Sequence, residues 1–171
     1  YSKSADLKDV VVLTPNPTQG ISSINREKIQ EVMDEVDAIE QLAILVRYNR
    51  MHVLLQQKYI SGTTVYGCNI EYKNIINTKY GIQGNFLNSD DECLVGNKIA
   101  NKYKIQMGDK INIGYKKYKV VGYIKIPVYE DDFFVLNDSV LNAESVDWNV
   151  YIRLKDLSNK SIKQFEEKIY S

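Results

Sequence analysis

The stretch that most constrains how this chain folds is 84–125, from Gly84 to Lys125. Cys93-Leu94-Val95 is a short apolar run of strand length, and Gly96 breaks it. Asn97 is a cap residue for a short helix that carries Ile99, Ala100 and Tyr103. Met107-Gly108-Asp109 reads as a turn. Beyond it, 110–114 and 117–125 alternate apolar and polar residues with the period of a strand. The two segments predict a hairpin in which Ile113 faces Tyr118 and Ile111 faces Val120. In that register Ile111, Ile113, Tyr118, Val120, Gly122 and Ile124 share one face. Asn112, Lys117, Lys119, Val121, Tyr123 and Lys125 take the other.

The flanking chain reads as a mixture of helix and strand. Val10-Val11-Val12-Leu13 predicts a central strand buried on both faces. Ile29, Val32, Met33 and Val36 fall at i, i+3, i+4 and i+7, which predicts an amphipathic helix capped by Ser22, Ser23 or Asn25. Residues 41–48 and 51–55 predict two strands joined at Asn49-Arg50 as a hairpin. Residues 63–70 predict a strand and 71–78 a helix. Pro127 stops the strand before it, Phe133 to Leu136 form a buried strand, and Asn137 or Asp138 is a cap residue for a brief helical turn. Trp148, Val150, Ile152 and Leu154 alternate with polar residues in a half-buried strand. Ile162, Phe165 and Ile169 predict a last helix.

The ordered series Gly84-Asn85-Phe86, Leu94-Val95-Gly96, Ile99-Ala100, Gly108-Asp109-Lys110, Ile111-Asn112-Ile113 and Val120-Val121-Gly122-Tyr123 resembles the extracytoplasmic core domain of MacB-type, FtsX-like ABC transporter permeases. Val65-Tyr66-Gly67 resembles the family's earlier Val-x-Gly strand. The chain departs from the pattern at Asn85, where the family often has Arg, and at Lys102-Tyr103, where it often has Leu-Phe.

The resemblance implies an α+β fold of two lobes. Residues 1–61 and 127–171 form a discontinuous, membrane-proximal α/β lobe, and 62–126 an inserted, mainly β lobe. It implies a domain on the extracytoplasmic face of a bacterial membrane, between transmembrane helices outside this sequence. Both ends of the domain then lie together and face one way. Its partners are a cytoplasmic ABC ATPase, a second permease copy and an extracytoplasmic substrate or partner protein. Its role is relay of motion without catalysis. The rival readings are a stand-alone secreted ligand- or peptide-binding module, and a hydrolase with an unrecognised site.

Composition narrows the alternatives. Formal net charge is +0, from 22 Lys and Arg against 22 Asp and Glu, so a nucleic-acid role has no electrostatic footprint. No apolar run approaches the ~20 residues of a membrane span. The chain opens on a polar segment at Tyr1 with no start Met, and reads as cut from a longer protein. The abundance of Tyr, Ile, Asn and Lys suggests an AT-rich genome, such as that of a low-GC Gram-positive bacterium.

The search for chemistry is thin. His52 is the sole histidine, and no Gly-x-Ser-x-Gly elbow accompanies it. Two cysteines and one histidine lack the spacing of a zinc set. The acidic triplets Asp90-Asp91-Glu92 and Glu130-Asp131-Asp132 lack the spacing of a calcium loop. Val95-Gly96-Asn97-Lys98 is not a phosphate loop. No catalytic, cofactor or metal residue is assigned. Cys68 and Cys93 admit a disulfide outside the cytoplasm, but their apolar strand contexts favour two buried thiols. The chain has 13 tyrosines. Tyr115, Tyr123 and Tyr129 are the first candidates for an exposed contact surface, since tyrosine is amphipathic and loses little entropy on binding.

Overall fold

The structure is a computed structural model and describes residues 10–13, 26–36, 39–76, 78–140, 145–155, 163–164 and 166–168. These residues adopt a mixed α+β fold organised on one sheet. Its strands are β1 (Val10–Leu13), β2 (Ile39–Tyr48), β3 (Val53–Leu55), β4 (Lys58–Ile60), β5 (Val65–Cys68), β6 (Ile82–Gly84), β7 (Glu92–Gly96), β8 (Lys110–Ile113), β9 (Lys116–Ile124), β10 (Phe133–Leu136) and β11 (Ser145–Leu154). Their order is β1-β11-β2-β5-β10-β7-β9-β8-β3-β4, and β6 pairs with β9. Helices α1 (Arg26–Glu35), α2 (Thr78–Gly81) and α3 (Asn97–Tyr103) accompany them, with 3-10 turns at Ile70–Asn74, Pro127–Tyr129 and Asn137–Ser139.

Alternation along the strands sorts the core onto two faces. On one face Leu45, Cys68, Leu94, Phe134, Leu136 and Tyr151 join Tyr72 of the first 3-10 turn. On the other, Ile44, Val46, Val150 and Ile152 pack under Val32 and Val36 of α1. Further along that second face, Cys93, Val95, Phe133 and Val135 pack with Ile99 and Ala100 of α3 and with Ile111, Ile113 and Tyr118. β10 explains its own sequence: Phe133-Phe134-Val135-Leu136 is buried at every position because the strand lies between β5 and β7 with both faces covered. Val32 and Val36 sit at 1% and 0% exposure, each worth about 1.5–3 kcal/mol of burial. They confirm the helical spacing. Ile29's side chain, the predicted caps of α1 and the apolar positions of the last predicted helix lie outside what is described.

Several expectations are corrected. Asn97 does not cap α3: it is the first residue of the helix, Gly96 holds the cap position, and no side chain makes a cap hydrogen bond there. Among the described residues β1 is an outermost strand and pairs with β11 alone, with Val10 and Val12 half-buried. A run of four apolar residues suits an edge whose inner face is covered as well as a central strand. β2 and β3 do not form a hairpin: β2 lies between β11 and β5, whereas β3 pairs with β4 and β8. Residues 71–78 are not one helix, since a 3-10 turn and the four-residue α2 bracket them, and the short strand β6 follows.

The β8–β9 register is shifted as well, with Ile111 opposite Tyr118 and Ile113 opposite Lys116. Gly114, at φ +64°, allows a two-residue turn at Gly114-Tyr115, one residue earlier than the Tyr115-Lys116 that lies between the two predicted strands. A register irregularity between β7 and β9 at Val121 then reverses the alternation. Tyr118 and Val120 lie in the cluster with α3, while Ile124 joins the opposite face.

The β3–β4 hairpin closes through Gln56-Gln57, both with positive φ (50° and 67°). That geometry suits Asn-Gly and strains residues with a longer side chain. Replacing Gln56-Gln57 by Asn-Gly is expected to stabilise the domain by about 1 kcal/mol. Chemical denaturation of the two proteins checks this, and an unchanged or lower midpoint contradicts it.

Candidate functional site

The candidate tyrosines part company. Tyr115 occupies the β8–β9 turn and is 104% exposed. Tyr123 is half-buried, and its hydroxyl donates to the carbonyl of Ile105 at 2.8 Å, tying β9 to the end of α3. Tyr129 packs edge-on to Tyr66 and Phe134, with ring centroids 5.3 and 5.0 Å away. The three are not brought together, and Tyr115 alone has its whole ring in solvent. Sequence reasoning did not single out Tyr59, 69% exposed, whose ring meets His52 edge-on at 5.4 Å. Its place on β4, at the end of the strand order among the described residues, is a long-range outcome.

Tyr115 is held by its frame. Gly114 donates its N–H to the carbonyl of His52 at 2.8 Å, which pins the turn to the entry of β3. The Met51 methyl lies over Gly114. His52 itself is exposed, not embedded in an apolar strand.

The acidic triplets serve local structure. Glu92 Oε1 accepts from the backbone N–H groups of Asn88 and Ser89 at 2.8 and 3.1 Å, and Asp91 accepts from Ser89 Oγ at 2.7 Å. Asp132 Oδ1 accepts from Thr64 N–H at 3.0 Å. Among the described residues no three His, Cys, Asp or Glu side chains converge on one point.

Burial raises the Asp132 carboxyl, partly countered by the Thr64 hydrogen bond. The folded state therefore holds the Asp132 proton to higher pH than the unfolded chain. The associated stability is present in full below the ordinary aspartate value of ~3.9 and is lost as pH rises through the folded value. Asp132→Asn keeps an oxygen for Thr64. It is expected to be the more stable protein at pH 7, with the advantage shrinking as pH falls toward 3.5. Urea midpoints across that range measure it, and a constant difference contradicts it.

Cys68 and Cys93 are free and fully buried. They lie on opposite faces of the sheet, on β5 and β7, with β10 between them. Two strand spacings, roughly 10 Å, exceed the Cα separation that a disulfide spans. Burial pushes both thiols well above their ordinary range. Neither is expected to react with a thiol reagent such as Ellman's in the folded protein, while both react in denaturant. Fast labelling of native protein contradicts this.

Buried hydroxyls cluster at the Asn137–Ser139 turn. Tyr118 Oη and Ser139 Oγ are 3.0 Å apart, and Ser139 Oγ donates to the carbonyl of Leu136 at 2.6 Å. Asn69 bridges two positions of β2, donating to the carbonyl of Leu42 and accepting from Ile44 N–H, each at 3.0 Å. These groups are satisfied within the fold and serve it.

A profile described as "MacB-like periplasmic core domain" matches residues 1–169. No curated protein matches the chain in sequence. Among solved structures, the periplasmic region of MacB from Actinobacillus actinomycetemcomitans is similar at 11% identity and a TM-score of 0.66, over 94% of this chain and 79% of that one. The extracellular domain of the noncanonic ABC-type transporter YknZ from Gram-positive bacteria is similar at 18% identity and a TM-score of 0.66, over 93% of this chain and 90% of that one. At these identities the likeness is one of fold.

Proposed function

The chain belongs to the family of MacB-like periplasmic core domains, an extracytoplasmic part of MacB-like ABC transporter permeases, and from that premise we propose that it relays ATP-driven motion to a substrate or partner protein outside the membrane. It does so without catalysing a reaction. ATP is hydrolysed by a cytoplasmic ATPase, and two permease copies move against each other. The observation that carries this reading is the pairing of Val10 with Arg153: the start of β1 and the end of β11 lie side by side at one end of the sheet. Chain entering and leaving there delivers a push to two adjacent strands at once.

The sheet provides the lever. From β1 the hydrogen-bonded order runs unbroken to β8, whose turn carries Tyr115. At ~4.8 Å per strand this is roughly 30 Å along the sheet. The two-lobe division, 1–61 with 127–171 against 62–126, is part of the same proposal. Strand pairing supports one change to it: β3 and β4 go with β8 in the far lobe, and β5 goes with β2 and β10 in the near one.

The test uses the full-length permease with its ATPase in lipid. A spin label at Tyr115→Cys reports the distance between the two copies. The distance distribution is expected to shift by several ångströms between nucleotide-free and ATP-trapped states. An identical distribution in every nucleotide state defeats the relay.

A further inference from the structure

At the Tyr48 end of β2, the sheet face that carries Leu45 and Tyr66 opens into a cleft of about 120 Å³. Leu45, Arg47, Tyr66, Tyr129, Asp147 and Asn149 line it. Their positions follow from register: Asp147, Arg47 and Tyr66 are successive partners across β11, β2 and β5, and Asn149 is the partner of Leu45. All therefore project on one face.

Three polar side chains of the cleft, those of Arg47, Tyr66 and Asn149, have no hydrogen-bond or ion-pair partner among the described residues. Arg47 faces Asp147 across the ladder, the arrangement that ordinarily gives a cross-strand ion pair. Asp147 instead turns Oδ1 to the backbone N–H of Trp148 at 2.9 Å. Among the described residues no carboxylate lies within ion-pair distance of Arg47, and neither the Tyr66 hydroxyl nor the Asn149 amide has a hydrogen-bond partner. Tyr129, edge-on to Tyr66, walls the cleft with its ring.

We propose that this cleft binds a single carboxylate group, held by the Arg47 guanidinium with the Tyr66 hydroxyl and the Asn149 amide donating to it. The guanidinium fork matches a planar carboxylate in two parallel bonds. Burial holds the Tyr66 phenol up to about 12, so it remains a donor throughout the physiological range. Asp147 beside Arg47 and Asp132 near Tyr66 set the charge of the ligand: their repulsion grows with its negative charge, so a monoanion is opposed less than a dianion such as phosphate. The volume equals that of about four waters, enough for a carboxylate on a short stem such as the C-terminal end of a peptide. The inference rests on the cleft alone, so the relay stands or falls independently of it.

The test is an NMR titration of the 15N-labelled chain with acetylglycylglycine, whose one charge is its carboxylate. Its C-terminal amide and inorganic phosphate are titrated in parallel. Acetylglycylglycine is expected to shift the Arg47 Nε–H and the amide signals of Tyr66 and Asn149 along a saturating curve with a millimolar Kd. The amide gives no saturable shift, and phosphate binds at least tenfold more weakly. Arg47→Gln abolishes saturation. Arg47→Lys, which keeps the charge and loses the fork, weakens it several-fold. Both substitutions sit at an exposed position, and overlay of the remaining spectrum checks the fold. Equal shifts from acid and amide, an unchanged curve in Arg47→Gln, or tighter binding of phosphate each overturn the assignment.

Discussion

Gly96→Ala is expected to cost about 4–6 kcal/mol, a large share of the 5–15 kcal/mol that holds a domain folded. The reason is space, not backbone freedom. Gly96 has φ −58° and ψ 138°, which any residue adopts. A Cβ there would sit inside the Glu130 carbonyl group and 2.6 Å from the carbonyl oxygen of Tyr129. Those atoms are backbone and cannot rotate away. They are also held where they are: Gly96 N–H donates to the Asp132 carbonyl at 2.7 Å, and Lys98 and Ile99 N–H donate to the Glu130 carbonyl at 3.0 and 3.2 Å. The loop after Ile126 thus satisfies the first amides of α3, which have no partner inside the helix.

A methyl group that drives the loop away forfeits these three bonds, each worth about 1 kcal/mol, and adds overpacking strain of about 1–3 kcal/mol. At roughly 2–4 °C per kcal/mol for a domain of this size, the melting temperature falls by about 10 °C or more. Gly108→Ala is the control. Its φ is +89° and its Cβ meets nothing, so it carries conformational strain alone, about 1 kcal/mol. Equal losses in the two variants contradict the steric account.

The same glycine shows what a sequence makes legible. Leu94-Val95-Gly96 followed by Asn97 places a strand end and a helix start within five residues, and both appear. Other local signals behave this way: the spacing of Val32 and Val36 and the doubly buried β10 both appear in the structure, whereas Asn97 and Asn137 open their helical turns as first residues and neither caps one. Long-range choices did not come through. Nothing within β2 or β3 says that β2 prefers β11 and β5 to its sequence neighbour. Val121, where the register slips, is the one residue that breaks the alternation of β9, but an apolar residue on the wettable face does not by itself say that a bulge lies there.

The candidate site divides along the same line. Tyr115 is exposed because it sits in a tight turn, a local fact. Tyr123 and Tyr129 are drawn inward by Ile105, Phe134 and Tyr66, contacts that no short window contains. Arg47 went unremarked because it ends an apolar run, and the cleft beside it is assembled from β2, β5, β11 and the loop carrying Tyr129.

Phe134→Ala carries the other large effect, and it links the core to that cleft. Phe134 is 0% exposed on the central strand β10. Its ring lies 5.2 Å from Tyr66, 6.1 Å from Tyr72 and 5.0 Å from Tyr129, measured between centroids. Removing a buried phenyl ring costs about 3–5 kcal/mol, through lost transfer energy and the cavity left behind. Collapse is resisted because Tyr72 is locked between Tyr151 and a hydrogen bond with Tyr129.

Phe134→Leu keeps most of the volume and loses the ring contacts, so it is expected to cost markedly less, near 1–2 kcal/mol. The two variants separate filling from ring geometry in denaturant titrations. A loss below about 1.5 kcal/mol in Phe134→Ala means that the tyrosines close over the gap. In that case the near-ultraviolet dichroism of the tyrosines changes along with the small stability loss. If Phe134 instead holds Tyr66 and Tyr129 in place, the alanine variant remains folded at low temperature with a loosened cleft wall, and the leucine variant retains the native dichroism.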